Sequence, residues 1–196
     1  MTYSTPCSRS AYSHRVTWKF GTYSNVQTIA AGGTSASYTI PLNWLKAIPN
    51  AASGTASATL ETLDASGNVL GTSSYNFTVT VPAGVTPNLE SVTVAPANSN
   101  SVLAGWNAYA YGKSQAKITI NGASGAYGST IKSYSITTDP SVGSTNASSL
   151  TTGTLYKTGT VTITAKVTDS RGRTATQSAT FAVSAYAAPV IAGVTL

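Results

Sequence analysis

The chain has 196 residues, 41% of them hydrophobic and only 8% charged, against roughly 25% charged in an ordinary globular protein. That is enough apolar material for one large core or two small ones, which excludes a disordered tail. The formal net charge is +6, from 11 Lys/Arg against 5 Asp/Glu. The basic residues are scattered from Arg9 to Arg173, with only Arg171 and Arg173 close together. This spread argues against nucleic-acid binding and leaves a weak general attraction to anionic surfaces.

In chain order, Met1 to Phe20 carries Arg9, His14, Arg15 and Lys19 without an apolar run, so no signal peptide is expected. Cys7 is the single cysteine and has no internal partner, which suits folding in a reducing cytoplasm. Val16, Trp18 and Phe20 alternate with polar neighbours and predict a strand with one buried face. After Gly32-Gly33, the run Pro41-Leu42-Asn43-Trp44-Leu45-Lys46-Ala47-Ile48-Pro49 spaces Leu42, Leu45 and Ile48 three apart between prolines. One or two helical turns are expected there. Asp64-Ala65-Ser66-Gly67 predicts a hairpin, followed by alternation through Tyr75, Phe77, Val79 and Val81. Asn121-Gly122 marks a further turn, and Val161, Ile163, Ala165 and Val167 a further strand. Asp169-Ser170-Arg171-Gly172 repeats the hairpin signal ahead of Phe181 and Val183. No stretch approaches the ~18 apolar residues of a membrane span, so a soluble protein is expected.

An internal echo sets the expected organisation. Pro87-Asn88-Leu89-Glu90-Ser91-Val92-Thr93-Val94 returns as Pro189-Val190-Ile191-Ala192-Gly193-Val194-Thr195-Leu196, and each copy follows an Asp-x-x-Gly hairpin. The offset is close to the ~100 residues of an immunoglobulin-like sandwich. No helical pattern separates successive strands, as a βαβ design would require. The expectation is all-β: two tandem immunoglobulin-like β-sandwich modules, 1–84 and 85–187. Residues 188–196 would then form a linker and the first strand of a third module.

Several blocks together resemble the minor structural and tail proteins of siphophages that infect Gram-positive bacteria. They are Ser13-His14-Arg15-Val16-Thr17-Trp18-Lys19-Phe20-Gly21, Ile48-Pro49-Asn50-Ala51-Ala52-Ser53-Gly54, Thr80-Val81-Pro82-Ala83, Gly125 to Tyr134, and Val167 to Thr176. The resemblance runs over nearly the whole chain in order. It implies tandem Ig-like modules in a virion tail or tail fibre, assembled in the host cytoplasm, with other tail proteins as partners and no catalytic residues to transfer. Relatives carry more strand ahead of the His14 segment, so the first module is expected to be trimmed at its N terminus. A trimer is compatible with a tail fibre, although no residue pattern specifies one.

Chemistry-bearing residues are sparse. His14, the one histidine, stands beside the apolar positions of a predicted strand and reads as a structural hydrogen-bonding residue. Cys7 and His14 do not make a metal set, and no Gly-x-Ser-x-Gly elbow is present. Of the acids, Asp64, Asp139 and Asp169 read as turn caps, leaving Glu61 and Glu90 in different modules, a poor basis for glycoside cleavage. Tyr111-Gly112-Lys113-Ser114 mimics the end of a phosphate loop, but Asn107 stands where its first glycine belongs. No enzyme, cofactor or metal is therefore expected. Aromatic residues are the stronger candidates: Tyr109, Tyr111 and Lys113 form a candidate surface or glycan contact, while Trp18 and Trp106 are expected in the core. The leading expectation is a non-enzymatic structural and interaction element that spaces or decorates a tail. The alternatives are a carbohydrate-binding host-recognition module and a fragment of a bacterial surface adhesin.

Overall fold

The computed structural model describes residues 2–6, 12–97 and 101–193. Cys7 and Arg9 lie outside them. The chain is all-β and divides into two compact units. The first comprises the residues up to Val85 with Ala126–Thr130 and Ser170–Gly172; the second comprises Thr86–Gly125, Ile131–Asp169 and the residues from Arg173 on.

In the first unit a four-stranded sheet has the order β3-β2-β5-β6, and a ladder of β1 and β4 stands apart from it. These strands are β1 (Thr2–Pro6), β2 (Ser13–Phe20), β3 (Tyr23–Ile29), β4 (Ser35–Thr39), β5 (Ser53–Leu63) and β6 (Val69–Thr80). The alternation of β2 does what the sequence predicts: Val16, Trp18 and Phe20 are 0%, 1% and 2% exposed. Removing such side chains from water contributes about 1.5–3 kcal/mol each. The ring of Tyr38 on β4 stacks on Trp18 at 6.2 Å and meets Trp44 at 5.4 Å. The buried indole of Trp18 donates Nε1 to Gln27 Oε1 at 2.9 Å, and Gln27 Nε2 donates to the Ser37 carbonyl at 2.9 Å. A polar tip in an apolar core thus finds its acceptor.

Leu42–Ala47 is a 3-10 helix that buries Trp44 and Leu45. The three-residue spacing read from the sequence marks the helical turns but not their buried side, since Leu42 is 42% exposed and Ile48 lies just past the helix. One of its carbonyls, Leu45 O, and that of Ile48 just past its end are held by Arg171. This residue is only 7% exposed. Nε donates to Ile48 O at 3.0 Å, Nη2 to Leu45 O at 2.9 Å and Tyr127 O at 2.7 Å, and Nη1 to Ala126 O at 2.6 Å. A cation on the carbonyl end of a helix is favoured by both charge and hydrogen bonding. Beside it, Ser170 Oγ donates to Pro49 O at 2.7 Å and accepts from Thr130 N at 3.1 Å.

The second unit is a two-layer sandwich. Its strands are β7 (Ser91–Pro96), β8 (Tyr109–Ala110), β9 (Ala116–Asn121), β10 (Ile131–Asp139), β11 (Ser144–Thr145), β12 (Ser149–Thr151), β13 (Gly159–Asp169) and β14 (Thr174–Ser184), with a short helix α1 (Ser101–Gly105) after β7. One sheet has the order β11-β10-β13-β14-β8 and the other β12-β9-β7. Ala116, Ile118 and Ile120 of the smaller sheet and Ile136, Val161, Ile163, Ala165 and Val167 of the larger share one apolar cluster. Two sheets packed face to face over alternating inward residues are the immunoglobulin-like design. The strand expected over 188–196 is not seen in its described part: residues 185–193 carry no strand, and 194–196 lie outside the described residues.

Candidate surface-contact site

Tyr109, Tyr111 and Lys113, singled out together from the sequence, do not share a face. Tyr109 is on β8, which pairs in parallel with β14 at Val183. Its ring is 7% exposed and packs on Phe181 at 4.7 Å. Burial raises its phenol above the ordinary tyrosine range. Tyr109 is therefore a core residue, and its place in the expected surface contact is corrected. The expectation for Trp106 is also corrected: it follows α1 instead of sitting on a strand, and it is 74% exposed.

Tyr111 and Lys113 do reach the surface, because β8 stops at Ala110 and the chain turns through Gly112 at φ +65°. Tyr111 N donates to Ser184 O at 2.9 Å, and Gly112 N donates to Leu155 O at 2.7 Å. Leu155 N in turn donates to Ser114 O at 2.9 Å, while Ser114 Oγ accepts from Ala110 N at 2.8 Å. These bonds stitch three distant segments and bring two further tyrosines to the turn. The Tyr156 ring meets Tyr111 edge to face at 5.8 Å, and Lys113 Nζ lies 5.7 Å from the centroid of Tyr186. Tyr111, Tyr156 and Tyr186 are 41%, 65% and 46% exposed, and Lys157 beside them is also exposed. The site is thus a surface group of tyrosines with flanking lysines, fixed by backbone hydrogen bonds. Such rings offer apolar faces and phenolic tips. Tyr156 and Tyr186 carry no local sequence signal that would join them to Tyr111. The phosphate-loop mimic at Tyr111–Ser114 is this turn, with Ser114 fully buried.

His14, Glu61 and Asp64 each have a side-chain partner. His14 Nδ1 is 3.1 Å from Thr62 Oγ1, whereas its buried Nε2 has no partner. Glu61 pairs with Arg15 at 2.6 Å, and the guanidinium holds its carboxyl below the usual range. Asp64 is also lowered, by hydrogen bonds from the Asn68 side chain and then from turn amides. Among the described residues, no three His, Cys, Asp or Glu side chains come together as metal ligands, and no helix is long and apolar enough to cross a membrane.

The model of the family described as "Siphovirus protein of unknown function (DUF859)" matches residues 2–193. The chain belongs to this siphovirus family. No curated protein sequence matches it. Among solved structures, the siphovirus chain is similar to the fibronectin(III)-like modules of Clostridium thermocellum CbhA, with 18% identity and a TM-score of 0.35 over 94% of this chain and 86% of that one. It is also similar to a structure described as giving insight into host cell surface retention of a 1.5-MDa bacterial ice-binding adhesin. There the identity is 12% and the TM-score 0.35, over 94% of this chain and 57% of that one. At these scores neither likeness bears on function.

Proposed function

We propose that the chain is a non-enzymatic structural and interaction element of a siphophage tail or tail fibre, carried in the virion after assembly in the host cytoplasm. Membership of a siphovirus family over residues 2–193 carries this reading. The build supports it: each unit has its own apolar core, and the charged fraction of 8% leaves hydroxyl-rich surfaces that repeat without self-repulsion. Its partners on this reading are other tail proteins. Antibodies raised against the chain should label the tails of purified particles of the encoding phage, and mass spectrometry should find its peptides there. Particles that lack the protein overturn the reading.

A second reading, a carbohydrate contact on the host wall, is favoured by the Tyr111, Tyr156 and Tyr186 group with Lys113. Stacking of tyrosine faces on sugar rings would survive salt, whereas attraction by diffuse positive charge is screened within about 8–10 Å. The check is binding of the labelled chain to Gram-positive cells and purified wall glycans at low and moderate salt. Saturable, glycan-competed binding lost in a Tyr111→Ala, Tyr156→Ala variant supports it. Binding erased by moderate salt removes it and leaves a structural spacer.

A further inference from the structure

Sheet edges are hazardous because their outer backbone groups invite another strand, and proteins blunt them by shortness, charge or proline. The second unit follows this practice: its edge strands β11, β8, β12 and β7 have 2, 2, 3 and 6 residues. In the first unit, the edge strand β3 is tied toward β4 by Gln27, which bonds the Ser37 carbonyl. The opposite edge is different. β6 has 12 residues, and its first eight, Val69 to Asn76, are all exposed. That stretch holds no charged residue and no proline, and among the described strands β6 pairs only with β5. A register shift beside Leu63 leaves Leu70 as a bulge, so the regular ladder of this arm runs from Gly71 onward.

We infer that the Gly71–Tyr75 segment of β6 is a docking edge for a second copy of this chain, added antiparallel about Ser73. A two-fold axis normal to the sheet keeps each face on its own side, so directly opposed residues must have the same parity. Centring on Ser73 opposes Gly71 with the copy's Tyr75, Thr72 with its Ser74, and Ser73 with itself. The residues at these positions complement themselves. A Cβ on Gly71 would meet nothing within 4 Å, while Tyr75 on the same face is 73% exposed. Each ring would cover the other copy's glycine, the cross-strand aromatic cover that stabilises glycine in sheets. Thr opposite Ser is a favourable cross-strand pair. A charge on this segment would lie close to its own symmetry mate, and there is none. An unrelated partner would not require this self-match, so a copy of the chain is the occupant.

The full chain carrying Cys7→Ser and Ser73→Cys should form a disulfide-linked dimer under mild oxidation, since directly opposed strand positions fall within disulfide reach. Gly71→Cys with Tyr75→Cys should cross-link when combined and not when single. Without any cysteine, sedimentation should show a concentration-dependent dimer. Thr72→Lys with Ser74→Lys, at exposed positions, should weaken it about tenfold by opposing like charges while leaving the far-ultraviolet dichroism of the folded chain unchanged. A chain that stays monomeric, a trimer, a cross-link only at other positions, or a dimer indifferent to the two lysines overturns the inference.

Discussion

The hairpin turns at Asp64–Asn68 and Asp169–Arg173 are built alike and employed differently. In both, the Asp N–H donates to the carbonyl four residues on, Asn68 O at 3.0 Å and Arg173 O at 2.9 Å. In both, the Asp carboxylate accepts from the amide of that fourth residue at 2.8 Å. Gly67 and Gly172 hold nearly the same left-handed φ, +84° and +81°. The difference lies in the two residues between Asp and Gly, Ala65-Ser66 against Ser170-Arg171. Ser66 is exposed, whereas Arg171 is buried with four backbone carbonyls as acceptors. A turn fixed by its Asp and its Gly leaves the two residues between them free to vary. One copy uses that freedom for solvent and the other for a structural cation.

The largest test of this contrast is Arg171→Ala, which strands one buried and three partly buried carbonyls. It should cost roughly 3–4 kcal/mol, given about 1–3 kcal/mol per unsatisfied buried group and incomplete additivity. The readout is the urea midpoint of the full chain. Arg171→Lys should recover only part of the loss, because one ammonium cannot match the planar fork. Next come Gly67→Ala and Gly172→Ala. An added Cβ meets nothing within 4 Å at either site, so backbone strain alone acts, and both should lose a similar ~1 kcal/mol. Unequal losses would break the claim that the two turns share a backbone.

Asp64→Ala should have a smaller and pH-dependent effect. The folded Asp64 carboxyl is held below its ordinary value, so its contribution is present above about pH 4 and fades as pH falls through the folded value. Wild type and variant should therefore converge in stability on acidification, and a gap that persists in acid would deny the cap its role. Smallest of all is Ser66→Arg, which places a guanidinium where no carbonyl set awaits it. The expected change is within about 0.5 kcal/mol.

The strand alternations around Trp18 and Val161 and both Asp-x-x-Gly hairpins were legible because each is a local rule. The 3-10 helix was legible in its spacing, though not in its type. The aromatic segment from Trp106 to Tyr111 was not. Tyr109 and Tyr111 share parity and would share a face on a continuous strand, yet β8 ends between them at Ala110. The short α1 ahead of Trp106 removes that residue from the strand altogether. Tyr156 and Tyr186 are brought to the site by backbone bonds from Gly112 and Tyr111 to Leu155 and Ser184. Those bonds link positions too far apart in the chain for any periodicity to register. Arg171 stood out in the sequence only as a neighbour of Arg173, since its acceptors are main-chain carbonyls that have no sequence signature.

The placement of the tryptophans gives the molecule a built-in optical asymmetry. Trp18 and Trp44 are 1% and 5% exposed in the first unit, while Trp106 of the second is 74% exposed. Indole emission is blue in a dry core and red in water, so only the first two can shift strongly on unfolding. Under selective indole excitation the emission shift follows the first unit, while far-ultraviolet dichroism follows both. Comparing the two signals during denaturation would assign each transition to its unit without adding a label.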